Sequence, residues 1–183
     1  MPDIDPDNRS EEKQLEKAMA RELGPTWTNQ MPTASGLVTS GERQRNVDLV
    51  HRVGAREFEF IELKVESDTP LYAAFEILKN GMTYLYSRRR RTDLGYRETD
   101  HAPLWADVVH LRVLAPESYY DGYDFAWLER FLNMCLARVV EPSVDGALRM
   151  DFCFERFPSG FVPSARGPSL AAAVARRERV YLA

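Results

Sequence analysis

Two carboxylates and one lysine stand in stretches whose other residues are those of buried strands: Asp48, and then Glu62-Leu63-Lys64. Along residues 57–65 the side chains alternate, so Ile61, Leu63 and Val65 share one face while Phe58, Phe60, Glu62 and Lys64 share the other. A face that begins aromatic therefore ends in two charges. Removing charge from water is costly unless it is paired or bound to a metal, so this face either stays wet or is used for chemistry. Neighbouring strands can bring Asp48 close to Glu62. Two unscreened carboxylates at such range repel and raise each other's proton affinity, and a cation removes that penalty.

The elements that must position these groups follow from the pattern around them. Ser10 is a good N-cap with Glu11 and Glu12 in the first turn, and a helix to about Leu23 ends at Gly24-Pro25. Its apolar stripe is Leu15, Met19 and Leu23; Glu12 falls within that stripe and Glu16 at its margin. Breaks at Ser35-Gly36, Ser40-Gly41 and Gly54-Ala55 separate short strands at 26–31 or 36–40, 46–53 and 57–66. Asp68-Thr69-Pro70 starts a second helix, with Leu71, Phe75, Leu78, Met82 and Leu85 as its expected core face and Tyr72, Glu76, Lys79 and Thr83 on another. A strand is expected at 106–114, a helix from about Asp124 with Leu128, Phe131, Leu132, Cys135, Leu136 and Val139 as its stripe, and a strand at 148–154. A tail helix over 168–180 shows Arg176, Arg177 and Arg179 on its far side. A long helix between Val65 and Ala106 can return the chain to the same sheet, which favours one mixed α/β sandwich.

With 183 residues, 44% of them hydrophobic and 28% charged, the chain has the composition of one soluble domain. A net charge of -4 argues against coating a polyanion by bulk electrostatics and leaves room for a local basic patch. The first residues are polar and acidic, which excludes the basic and apolar regions of a secretory signal, and no apolar run reaches membrane-spanning length. Cys135 and Cys153 are too few for a disulfide framework and read as reduced, buried residues of a cytoplasmic protein. His51, His101 and His110 are isolated, without metal-ligand spacing, and read as surface or packing residues.

Asp48 in one strand and Glu62-Leu63-Lys64 in the next, within a helix-strand-strand-strand-helix-strand order, resembles the PD-(D/E)XK nuclease superfamily. The resemblance covers residues 10–115 and leaves 116–183 as an elaboration, with 1–9 expected to be a flexible N-terminus. It implies a restriction-endonuclease-like α/β fold, a central mixed β-sheet flanked by helices, with an αβββαβ core and a C-terminal αβα. It also implies Mg²⁺ (or Mn²⁺) held by Asp48, Glu62 and the backbone carbonyl of Leu63. Such a hard ion prefers oxygen ligands and keeps several waters. Lys64 would position or help deprotonate the attacking water and stabilise charge on a phosphate. The first helix often adds a carboxylate, for which Glu12 is the candidate and Glu16 the reserve. Two departures stand out: Asn46 and Val47 precede Asp48 where the family name has Pro, and Glu76 stands where members often carry Gln, with Lys79 beside it as a further accessory residue.

The same residues have plainer readings. Glu-x-Lys on a strand face is a common solvated pattern, Asp48 could bond backbone at a strand end, and Glu12 could serve the helix dipole. Arg88, Arg89, Arg90 and Arg91 end a helix, where cations are favoured anyway. On the nuclease reading they join Arg43, Arg45 and Arg52 as contacts to nucleic acid, DNA before RNA. An inactive module that binds nucleic acid or a protein is the competing expectation. A third is self-association, as a homodimer, through aromatics between Tyr119 and Trp127. No membrane partner is expected.

Overall fold

The computed structural model describes residues 11–33, 46–66, 68–140, 148–164 and 170–181. Helix α1 (Glu11–Glu22) leads into a meander of β1 (Trp27–Pro32), β2 (Asn46–Gly54) and β3 (Glu57–Leu63). Helix α2 (Pro70–Arg89) crosses to β4 (Val108–Ala115), α3 (Ala126–Val140) crosses to β5 (Arg149–Arg156), and α4 (Leu170–Ala175) precedes the two-residue β6 (Glu178–Arg179). The six strands lie in the order β1-β2-β3-β4-β5-β6. β1, β2 and β3 are antiparallel, β3, β4 and β5 parallel, and β6 antiparallel again. The mixed α/β sheet expected from the pattern is present, and β5, β6, α3 and α4 complete the same sheet and core. Ser10, the expected cap, and the expected flexible residues 1–9 lie outside the described residues, as does Pro168.

Strand alternation builds two cores. Phe58 and Phe60 point with Val109, Leu111, Phe152 and Phe154 toward α2 and α3. Leu49, Ile61 and Leu63 point the other way, with Leu114 and Phe157, against Leu15 and Met19 of α1 and Leu170 and Val174 of α4. α2 starts as its sequence dictates: Thr69 Oγ1 accepts from the Tyr72 N–H at 3.3 Å and Pro70 opens the first turn.

The buried face of α2 includes Leu85 and part of Leu78 as expected but otherwise differs from the expected one. Ala73, Ala74, Ile77, Gly81 and Tyr84 meet the sheet, while Leu71, Phe75 and Met82 stay exposed. The reason is steric. A Cβ at Gly81 would stand 2.8 Å from Leu111 Cδ1, so the helix lies so close to β4 that small residues must make the contact and bulky ones turn to its flank. In α3, Leu128, Leu136 and Val140 are buried but Phe131 and Val139 are exposed, because the helix gives polar side chains to β5. Asn133 donates its amide to the Phe152 carbonyl and accepts from the Phe152 N–H, and Glu129 accepts from the Phe154 N–H.

The tail helix is shorter than expected, ending at Ala175, and Arg177 is drawn onto the sheet. There it meets Glu59 at 2.6 Å and Glu155 at 2.8 Å, two acids on strand faces that need a cation. The same polar lane seats two histidines: His110 bridges Asp151 (2.7 Å) and Glu57 (2.9 Å), and His51 bonds Glu59 (2.8 Å) while stacking on Trp27. Both cysteines are free, but only Cys153 is fully buried; Cys135 is partly exposed. No helix among the described residues is long and apolar enough to cross a membrane.

Candidate metal and phosphate site

Continuing the β2–β3 register one step past the Leu49–Ile61 pair sets Asp48 opposite Glu62. Both are buried, and with Lys64 they open onto a polar cavity of about 310 Å³ between α1 and α2. The remaining walls are Glu12 and Lys13 from α1, Gln30 and Asn46 from the meander, and Glu76, Lys79 and Asn80 from α2. Sheet and helices together therefore gather Asp48, Glu62, Lys64, Glu12, Glu76 and Lys79.

The charges are tightly matched. Lys64 Nζ lies 3.1 Å from Glu62 and 2.6 Å from Glu76. Burial lowers the affinity of Lys64 for its proton, but Glu62 and then Glu76 overcome this and lift it above the ordinary lysine range. An ammonium held this firmly is suited to positioning groups and stabilising negative charge. Glu76, the departure from the family pattern, is spent on Lys64.

Lys13, which no motif singled out, bridges Glu16 at 2.6 Å and Asp48 at 3.1 Å. Its spacing of three residues from Glu16 on one helix face was the available signal. Burial, reinforced by the charge of Asp48, pushes the Glu16 carboxyl up. Glu62 is raised by the same two causes in the same order. Crowded acids of this kind suit a divalent cation. The second oxygen of Asp48 accepts from the Leu63 N–H at 3.1 Å. A strand residue's carbonyl leaves on the same side as its N–H, so the Leu63 carbonyl is also directed to that side.

Glu12 lines the cavity and also holds the end of a strand. Its Oε1 accepts from the Val65 N–H at 3.2 Å, tying α1 to the end of β3, while Glu16 is the α1 acid that Lys13 links to Asp48. Among the described residues no three or more acids, histidines or cysteines are grouped to hold a metal.

Among the described residues, the arginines expected to grip nucleic acid do not converge here. Arg43 and Arg45 lie outside the described residues. Arg52 sits at the opposite end of β2, bonded to the Gly54 and Ala55 carbonyls. Arg88 is buried, donating to the Leu104 carbonyl and Tyr84 hydroxyl, so it is a packing residue; a long side chain on the sheet-facing stripe of α2 must go inward. Arg89 bonds the Val139 carbonyl, Arg90 pairs with Asp93, and Arg91 lies over Trp105. At 1.5 Å per residue these last three stand roughly 20 Å along α2 from Glu76. Of the aromatics expected on a surface, Tyr120 is buried with its hydroxyl on the Val113 and Glu155 carbonyls, whereas Tyr123 and Trp127 are exposed. Compared with family models, with curated proteins and with solved structures, the chain matches none.

Proposed function

We propose that this protein is a metal-dependent phosphodiesterase of nucleic acid, DNA before RNA, on a restriction-endonuclease-like variant of its α/β fold. The observation that carries the reading is the meeting of Asp48, Glu62 and Lys64 from adjoining strands in one polar cavity between two helices. Asp48, Glu62 and the Leu63 carbonyl are the residues to hold Mg²⁺ or Mn²⁺. When bound, the ion supplies a Lewis acid and makes a coordinated water a better nucleophile. Lys64 keeps a fixed positive charge facing the phosphate, and Lys79 at the cavity rim adds a second cation. Supercoiled plasmid and single-stranded DNA incubated with Mg²⁺ or Mn²⁺ test this. Cleavage is expected to fall by about 100-fold or more in Asp48→Ala, Glu62→Ala and Lys64→Ala. Equal cleavage by wild type and all three variants overturns it.

One observation favours a second reading, an inactive module that binds nucleic acid or protein: Lys13 and Lys64 already pair with Asp48, Glu16, Glu62 and Glu76. Thermal denaturation with Mn²⁺ separates the two. A metal site raises the melting temperature in wild type and not in Asp48→Ala, because a ligand that binds only the native state stabilises it; no rise in either supports the second reading.

A further inference from the structure

The flank of α2 that turned away from the sheet is not isolated. α2 and α3 are successive crossovers between parallel strands, lie on the same sheet face and run in the same direction. Their C-terminal ends are joined by the Arg89 bond to the Val139 carbonyl. At the helical repeat, Leu71, Phe75 and Met82 fall on the same side of α2 as Arg89, the side toward α3. On α3, Trp127, Phe131 and Met134 project away from the sheet on the same side of the molecule. These six side chains are 38% to 60% exposed.

Taking about 150–250 Å² for a fully exposed large side chain, they present on the order of 600 Å² of apolar surface. Such an area is at the upper end of the largest apolar patch on a typical monomer, a size that often marks a functional surface. It approaches the roughly 800 Å² that each partner covers in a stable complex. The patch is also charged unevenly at its two ends. Exposed Asp68 and Asp124 stand at the N-terminal ends of α2 and α3, and exposed Arg89 and Arg138 at their C-terminal ends.

We infer that the α2–α3 layer is the dimer interface of this protein, with a second copy of the chain as its occupant. A two-fold axis lying in the plane of the layer, perpendicular to the helices, stacks each helix antiparallel on its counterpart. That places the acidic end of one protomer on the basic end of the other, twice, and covers both apolar patches at once. Glu76 and Asn80 leave α2 on its other flank, toward the cavity at Asp48, with exposed Lys79 between the two.

Sedimentation equilibrium of the full chain across a wide concentration range is the test. The expected mass is twice the 21.0 kDa of one chain. Phe75→Asp and Phe131→Asp are expected to give monomers with the wild-type far-ultraviolet circular dichroism. Should either variant misfold, the surface charges decide. Arg138→Glu and Asp124→Arg each weaken the dimer by about tenfold, and the two together restore it. A wild type that is monomeric throughout overturns the inference. So does a dimer that survives both aspartates, or a double charge reversal no tighter than the singles. Mn²⁺ stabilisation, lost in Asp48→Ala, is expected to persist in Phe131→Asp, so failure of the interface and failure of the metal site are told apart.

Discussion

Glu59 shows how one side chain on the polar lane of the sheet sets an acid limit to stability. Burial raises its carboxyl, but the His51 hydrogen bond and the charge of Arg177 outweigh this and bring it from 4.5 down to about 2. A folded value below the unfolded one means that the carboxylate stabilises the native state above about pH 4.5, and that this contribution is lost as pH falls toward about 2. With Glu59 only 7% exposed, it is on the order of 3 kcal/mol. Urea denaturation is expected to show wild type more stable than Glu59→Gln at neutral pH, the gap closing as pH falls below about 4.5; a gap independent of pH sinks the assignment. Arg177 was not legible as the partner of Glu59, because 118 residues separate them and only the fold brings them together. Asp48, Glu62 and Lys64 were legible, since charge in an alternating apolar strand conflicts with its surroundings and so draws notice. Lys13 was not, because a lysine in a charged helix conflicts with nothing.

At the scale of elements, α2 shows where periodicity misleads. The stripe Leu71, Phe75, Leu78, Met82 and Leu85 is the more hydrophobic, yet of it only Leu85 is buried and Leu78 partly so, while the sheet takes Ala73, Ala74, Ile77 and Gly81. Hydrophobicity records what avoids water, whereas the contact with Leu111 is governed by how near two backbones come. Gly81→Ala tests this. An exposed helical glycine replaced by alanine gains about 1 kcal/mol. Here the new methyl meets a wholly buried Leu111, and a net loss of about 1–3 kcal/mol is expected in equilibrium denaturation. A gain in stability would show that Leu111 moves aside freely. The other boundaries were well marked, by Pro70 after Thr69 and by Gly54 between β2 and β3, because caps and turns depend on local residues alone. The tail strand could not be read, since two residues carry no period.

For the molecule as a whole, the bonds from α3 to β5 decide how it may associate. β6 pairs only with Glu155 and Arg156, leaving the outer side of Phe152 to Asn133 rather than to a strand. A side-chain amide that gives and accepts one bond satisfies the backbone there without offering a further row of donors and acceptors. Asn133→Leu withdraws both bonds. Turbidity and thioflavin fluorescence on incubation at constant temperature are expected to rise in that variant and stay flat in wild type. Unchanged traces would mean that the amide is dispensable.

Blocking that margin separates two kinds of growth. Strand-on-strand addition has no natural end, and each new chain leaves a fresh template for the next. Contact through a helical layer that matches only its own rotated copy stops at two. Asn133, with Glu129 beside it on Phe154, thus stands between a finite particle and an endless fibre.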